Sequence, residues 1–194
     1  MKHMVRVMTH WALLAHIYVS MAGFTLALLF GITGVTLNHQ DFGFGNPRVS
    51  TSEITLDRKM IDADDRAAIE EALRQKLGIR SPSTDYHGDA DQIDVTFAAP
   101  GGRTIVAVNR ADGRAQVEKE SRGILGKLDD LHKGLDSGSV WYWTIDAAGL
   151  LLVISSLTGM VTLVALRARR RTGFAVCALG VLSVILIYIF WIPK

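Results

Sequence analysis

The chain alternates between long uncharged stretches and one long polar stretch. Residues 7–40, 147–166 and 172–193 contain no Asp, Glu, Lys or Arg, and aliphatic and aromatic side chains dominate each run. A helix rises about 1.5 Å per residue, so about 20 such residues cross the roughly 30 Å hydrocarbon core of a bilayer. A helix of a soluble core is usually shorter and keeps a polar face. These runs have none, so three membrane-spanning helices are predicted. The first run is not read as a cleaved signal peptide. It is too long, and it ends in Asn38, His39 and Gln40, followed by Asp41, rather than in a small-residue cleavage site.

The stretch 41–138 predicts a small α+β unit. Asp62, Asp64 and Asp65 stand at the start of a helix, where negative charge suits the dipole. Ile69, Leu73 and Leu77 recur every four residues with Ala68 and Ala72 beside them, and Gly78 can close the helix in a left-handed cap. Ile93, Val95 and Phe97 then alternate with Gln92, Asp94 and Thr96, the period of a half-buried strand. Pro100-Gly101-Gly102 turns the chain into a second strand, Arg103 to Asn109, and Asp112-Gly113 into a third, Arg114 to Glu118. One helix against a three-stranded antiparallel meander is a scaffold. It shows no nucleophile–base pair and no phosphate loop. Asp62/Asp64/Asp65 and Asp89/Asp91 read as a helix start and a polar loop in preference to a site for Fe³⁺ or Ca²⁺.

The expected architecture is an α-helical membrane protein with three transmembrane helices and a small α+β outer domain inserted between helices 1 and 2. Its segments are 1–40 (N-terminus and first helix), 41–138 (outer domain), 139–166 (second helix), 167–172 (an Arg-rich link) and 173–194 (third helix). Charge sets the orientation. Lys2 and Arg6 precede the first span, and Arg167, Arg169, Arg170 and Arg171 fill the link. By the excess of basic residues on cytoplasmic ends, both face inward. Residues 41–138 hold 18 acidic and 14 basic residues, net −4, and are expected outside together with Lys194. Trp141, Tyr142 and Trp143, and Tyr188 and Trp191, mark the outer interfaces.

Composition narrows the chemistry. The 194 residues carry a net charge of only +2, which argues against a nucleic-acid partner. The single cysteine, Cys177, rules out an internal disulfide and a cysteine-based zinc or iron–sulfur site. Histidine is the remaining candidate. His16 lies inside the first span, and an ionisable residue there is a functional candidate by default. His39 lies where that span leaves the membrane on the outer side, and His132 just before the second span on the same side. Two imidazoles from separate segments at one membrane face are what axial ligation of a haem needs; Met21 and Met160 are lesser options. Interfacial histidines that merely hydrogen-bond among headgroups are the competing reading. His3 and His87 read as exposed surface residues. His16 cannot share a site with His39, since 23 residues of helix separate them by roughly 34 Å. His10 and His16 differ by about 120° in azimuth and do not serve one iron from one helix. An inner haem therefore needs a homodimer or an unusual second ligand.

Small residues punctuate the spans: Gly23, Gly31 and Gly34 in the first, Gly149 and Gly159 in the second. They allow close approach of a backbone or a flat porphyrin. The two spans share a local theme, Ile32-Thr33-Gly34-Val35 and Leu157-Thr158-Gly159-Met160. His16 followed by the Thr33-Gly34 pair, a helix–hairpin domain, then Leu131-His132-Lys133-Gly134-Leu135 and Leu157-Thr158-Gly159 resembles the PepSY-associated transmembrane family. In that resemblance the segment from about Glu53 to Glu120 is the PepSY module. The family includes inner-membrane haem proteins that reduce ferric iron, often delivered by siderophores, on the periplasmic side. The resemblance implies haem b, with His16 and His132 as helix-start histidines and His39 as partner at the outer end. It implies ferric iron or a ferric siderophore as substrate, and a quinol or similar donor. Three spans, fewer than in the larger reductases, leave a two-haem path to a homodimer. The alternatives are a non-enzymatic membrane-anchored interaction or regulatory module, and a small subunit of a larger membrane complex.

Overall fold

The computed structural model describes residues 2–39 and 46–193; the side chains of 2–6 and 8 are not described. The junction expected at 40/41, Lys194 and the side chain of His3 lie outside that description. The element order is α1 (Lys2–Asn38), β1 (Arg48–Thr55), α2 (Arg58–Asp62), α3 (Arg66–Leu77), β2 (Ser83–Gly88), β3 (Gln92–Ala99), β4 (Gly102–Asn109), β5 (Arg114–Ser121), α4 (Gly123–Lys133), α5 (Ser139–Ala165) and α6 (Arg170–Phe190). The segments Thr9–Asn38, Ser139–Ala165 and Arg170–Phe190 are long and apolar enough to cross a bilayer, so the protein is a multi-pass membrane protein. The second span is a helix from Ser139 and includes Asp146. The third begins at Arg170 rather than 173, which shortens the link.

The chain divides into two compact units, Met1–Leu28 with Asp146–Lys194, and Leu29–Ile145. In the first, Gly23 lets α1 approach α5: a Cβ placed there would lie 3.3 Å from Leu151 Cβ. Gly31 and Gly149 have open space around them and carry no such contact. No residue of α6 is buried, and Cys177 is exposed on it.

The second unit contains a five-stranded antiparallel sheet in the order β1-β5-β4-β3-β2. The three expected strands and both turns are present, with Gly101 at φ +82° and Gly113 at φ +73°. Two edge strands and two further helices add to the expected unit. On one sheet face Ile93, Val95, Phe97, Val106, Val108, Ala115 and Val117 pack against Ile69 and Leu73 of α3 and Ile61 of α2. Asp65 caps α3, its carboxylate accepting from the Ala67 and Ala68 N–H groups at 3.0 and 3.2 Å, and Gly78 ends it at φ +65°. Asp64 binds Arg110 at 2.7 Å, and Asp89 accepts from Asp91 and Gln92 N–H. Those two backbone bonds hold the Asp89 carboxyl below its ordinary range. Leu73 is fully buried, so Leu73→Ala is expected to cost about 2–5 kcal/mol, read as a lower melting temperature of the sheet's circular dichroism.

A turn ties α4 to the sheet. The N–H of Arg122 donates to the Gly101 carbonyl at 2.8 Å, and the Gly101 N–H donates to Asp130 Oδ2 at 2.8 Å. The same oxygen accepts from the Arg122 guanidinium. Gly134, at φ +73°, then ends α4 before α5 begins. His132 therefore stands in the last turn of a separate helix, not at the start of the second span as the resemblance implied.

Candidate functional site: two histidines on two Thr-Gly pairs

A threonine inside an apolar helix turns its hydroxyl back onto the carbonyl one turn earlier, because no water is there to take the proton. Thr33 does so to Leu29 O at 2.7 Å, and Thr158 to Ile154 O at 2.7 Å. Each hydroxyl is thereby tied to its own helix, while the oxygen keeps lone pairs. The residue after each threonine is glycine, so the adjacent helix surface has no side chain to keep a flat ring away.

Each of these Thr-Gly pairs receives a histidine from the other half of the chain. In the second unit, His132 Nδ1 lies 2.6 Å from Thr33 Oγ1, and the ring meets Phe30 edge-on at 5.1 Å between centroids. A Cβ at Gly34 would lie 3.6 Å from His132 Cε1. Phe30, Thr33 and Gly34 are spaced i, i+3, i+4 and form one face of α1. One turn of α4 earlier, Asp129 Oδ1 accepts from Thr36 Oγ1 at 2.7 Å. The pairs 33–132 and 36–129 are two rungs between antiparallel helices; Thr33 and Asp129 are only 2% and 3% exposed.

In the first unit, His16 Nδ1 lies 2.9 Å from Ser155 O and 3.4 Å from Thr158 Oγ1. The ring lies so close to Gly159 that a Cβ there would stand 3.0 Å from His16 Cε1. Gly159→Leu is therefore expected to push the ring off Ser155. The ¹⁵N shifts of the imidazole would change from one fixed tautomer to a mixture.

A carbonyl only accepts, so His16 donates through Nδ1–H to Ser155 and its Nε2 keeps the lone pair. At His132 the partner is a hydroxyl, which can give or take the hydrogen, so the contact fixes the ring's orientation rather than its tautomer. A ring tied back through Nδ1, with Nε2 on the other side, is the arrangement of a metal-ligating histidine.

The third candidate is placed differently. His39, exposed beyond the last turn of α1, sets Nδ1 3.0 Å from Val35 O. At about 100° per residue it lies roughly 120–180° around the helix from Phe30, Thr33 and Gly34. The structure does not bring His39 and His132 to one point. His10 is exposed and meets Trp11 edge-on, and His87 is exposed on β2. No group of three metal-binding side chains is found among the described residues. Sequence reasoning singled out His16 and His132 but not their receptors. The signal for those was the duplicated Thr-Gly.

Three apolar helices, an α+β domain between the first two, and histidines seated on Thr-Gly pairs define a membrane-anchored protein with paired intramolecular imidazole sites. A family model described as "Putative PepSY_TM-like" matches residues 7–193, and the chain belongs to that family. No curated protein and no solved structure matches the chain.

Proposed function

We propose that this protein is a haem-b electron-transfer protein of the bacterial cytoplasmic membrane that reduces ferric iron, free or siderophore-bound, on the periplasmic side. The observation that carries the reading is the pair of histidines whose Nδ1 is held by the opposite Thr-Gly helix, which leaves Nε2 on the side away from that contact. The donor chemistry fits an axial ligand of haem iron. Among the described side chains, however, no second imidazole is placed against either ring: His39 lies about 120° around α1 from Thr33, and His10 about 120° from His16. Each site would therefore supply one of the two protein ligands that haem iron needs, and a second copy of the chain would supply the other. His16 and His132 would be the ligands from one copy, and His39, at the outer end of α1, would belong with the outer centre only.

Haem b, when bound, supplies one-electron redox chemistry whose potential the axial ligands and local polarity set. The chain's own work is to hold each ring in one orientation, exclude water with the apolar spans and, at His132, Phe30, and present an acidic domain to the ferric substrate. A membrane quinol is the donor, giving QH₂ + 2 Fe³⁺ → Q + 2 Fe²⁺ + 2 H⁺. Arg167 and Arg169–Arg171 against the acidic domain support an inward-facing N-terminus and Arg-rich link and a periplasmic domain.

The test is ferric reduction by the full-length protein in lipid vesicles given a reduced quinol and an external ferrous-specific dye. Dye signal well above protein-free vesicles, lost in His132→Ala, is expected; equal signal with and without protein defeats the reading. One observation favours the alternative, a membrane-anchored interaction module. The second sheet face holds a groove of about 520 Å³ lined by Thr51, Glu53, Ile105, Gln116 and Glu118, with Ile105 left 40% exposed. Under that reading, removing the histidines leaves function intact.

A further inference from the structure

Positive charge gathers at one end of the helical unit, and nothing in that unit balances it there. Arg167, Arg169, Arg170 and Arg171 fall in the link between α5 and α6 and at the start of α6, while residues 1–40 and 147–194 contain no Asp or Glu. Asp146, the one acidic residue of the unit, stands near the other end of α5. All four arginines are exposed, and none has an ion-pair or side-chain hydrogen-bond partner among the described residues. Arg170 and Arg171 also sit where the α6 dipole opposes a cation, and no acidic residue stands in that first turn.

The turn that carries these charges is closed. The Leu166 carbonyl accepts from the N–H groups of both Arg169 and Arg170 at 3.0 Å, and the Gly173 N–H donates to the Arg169 carbonyl at 2.9 Å. Gly173 lies so close to Leu163 that a Cβ there would overlap its side chain, so α6 starts in contact with the last turn of α5. The contacts Gly23–Leu151 and His16–Gly159 show that α1 and α5 run antiparallel. Continued along both helices, that pairing puts Trp11 level with Val164, and Arg6 level with the link. Trp11 is 65% exposed, and an exposed indole at the end of a span marks the headgroup layer. Only residues 166–169 join the two spans, so the arginines are held at that surface.

The anion that surrounds them there is phosphate on lipid. A guanidinium takes a phosphate through two parallel N–H bonds. One phosphodiester offers two free oxygens, enough for one or two of the four guanidiniums, whereas a headgroup that joins two phosphodiesters engages the set together. We propose that the α5–α6 link binds the headgroup of a diphosphatidyl phospholipid, a cardiolipin, one per chain. The inference is independent of the haem reading.

The test is native mass spectrometry of the full-length protein in detergent, titrated with cardiolipin or with phosphatidylglycerol at equal phosphate. One cardiolipin per chain is expected, bound about tenfold more tightly than phosphatidylglycerol. The R167Q/R169Q/R170Q/R171Q protein is expected to lose that site. Because lost charge can also misplace the spans, R167K/R169K/R170K/R171K is measured beside it. Lysine keeps the charge that directs insertion but lacks the planar fork, so about tenfold weaker cardiolipin binding is expected with phosphatidylglycerol binding unchanged. Equal binding of the two lipids, or wild-type cardiolipin affinity in either variant, overturns the site. Displacement of cardiolipin by an equal concentration of inorganic pyrophosphate, or of an acidic peptide, shows that a soluble anion is the ligand and overturns the lipid assignment.

Discussion

Gly101→Ala is expected to lower the melting temperature of the α+β domain by about 10–20 °C. Two effects add. The position sits at φ +82°, where an L side chain is strained by about 1–2 kcal/mol. A Cβ there would also lie 2.7 Å from Lys127 Cβ, 2.8 Å from Lys127 Cα and 2.9 Å from Lys127 N. Two of those atoms are helix backbone and cannot rotate away, so the turn must separate from α4, at an overpacking cost of about 1–3 kcal/mol. Separation also breaks the Gly101 N–H bond to Asp130 and the Arg122 N–H bond to Gly101. For a domain of this size about 1 kcal/mol moves the melting temperature by roughly 4–8 °C. Gly31→Ala, where nothing lies within 4 Å, is the control and should leave the transition in place. A transition unchanged in both variants would mean that α4 is not held to the sheet through this turn.

Thr33→Val is expected to weaken haem binding about 10–100-fold while His132 remains present. Valine has nearly the shape of threonine but no hydroxyl to pair with Nδ1. The ring then loses the bond that holds its orientation, the usual cost of removing the group behind a metal-ligating histidine. His132→Ala removes the donor itself and is expected to eliminate that site. Spectroscopic titration with hemin separates the cases: reduced affinity with a normal spectrum for Thr33→Val, no six-coordinate spectrum at that site for His132→Ala. If Thr33→Val binds as wild type, the Thr-Gly pair packs the ring without tuning it.

The parts of the fold that were legible in the sequence are those where burial is one-sided or total. The uncharged runs became the three long helices. The alternation of Ile93, Val95 and Phe97 became β3 because each of those side chains enters the core. β1 and β2 were not legible because they are edges: Arg48–Thr55 is exposed at every position but one, so no apolar period marks it. α4 was hidden for another reason. It contains Gly123 and Gly126, and what it buries besides glycine is Asp129 and Asp130, carboxylates held by Thr36, Gly101 and Arg122. The apolar stripe it does have, Ile124, Leu128 and Leu131, is not the set that the fold buries most deeply.

The candidate site divides the same way. His16 and His132 stood out because an ionisable ring among apolar residues is costly. Their receptors did not, because threonine and glycine are common in spans and only the repeat of Thr33-Gly34 in Thr158-Gly159 pointed to them. His39 was grouped with His132 by depth alone. Depth places residues along a helix axis but says nothing of azimuth, and at about 100° per residue the position after Asn38 falls roughly 120° around from Thr33.

The most direct measurement is the absorption spectrum of the full-length protein, purified in detergent after expression with added haem and then reduced with dithionite. Imidazoles held through Nδ1 predict a Soret band with sharp α and β bands of a b-type, bis-histidine centre, diminished in His16→Ala and His132→Ala. A featureless spectrum, or one that both substitutions leave unchanged, would contradict the assignment of these rings to haem iron.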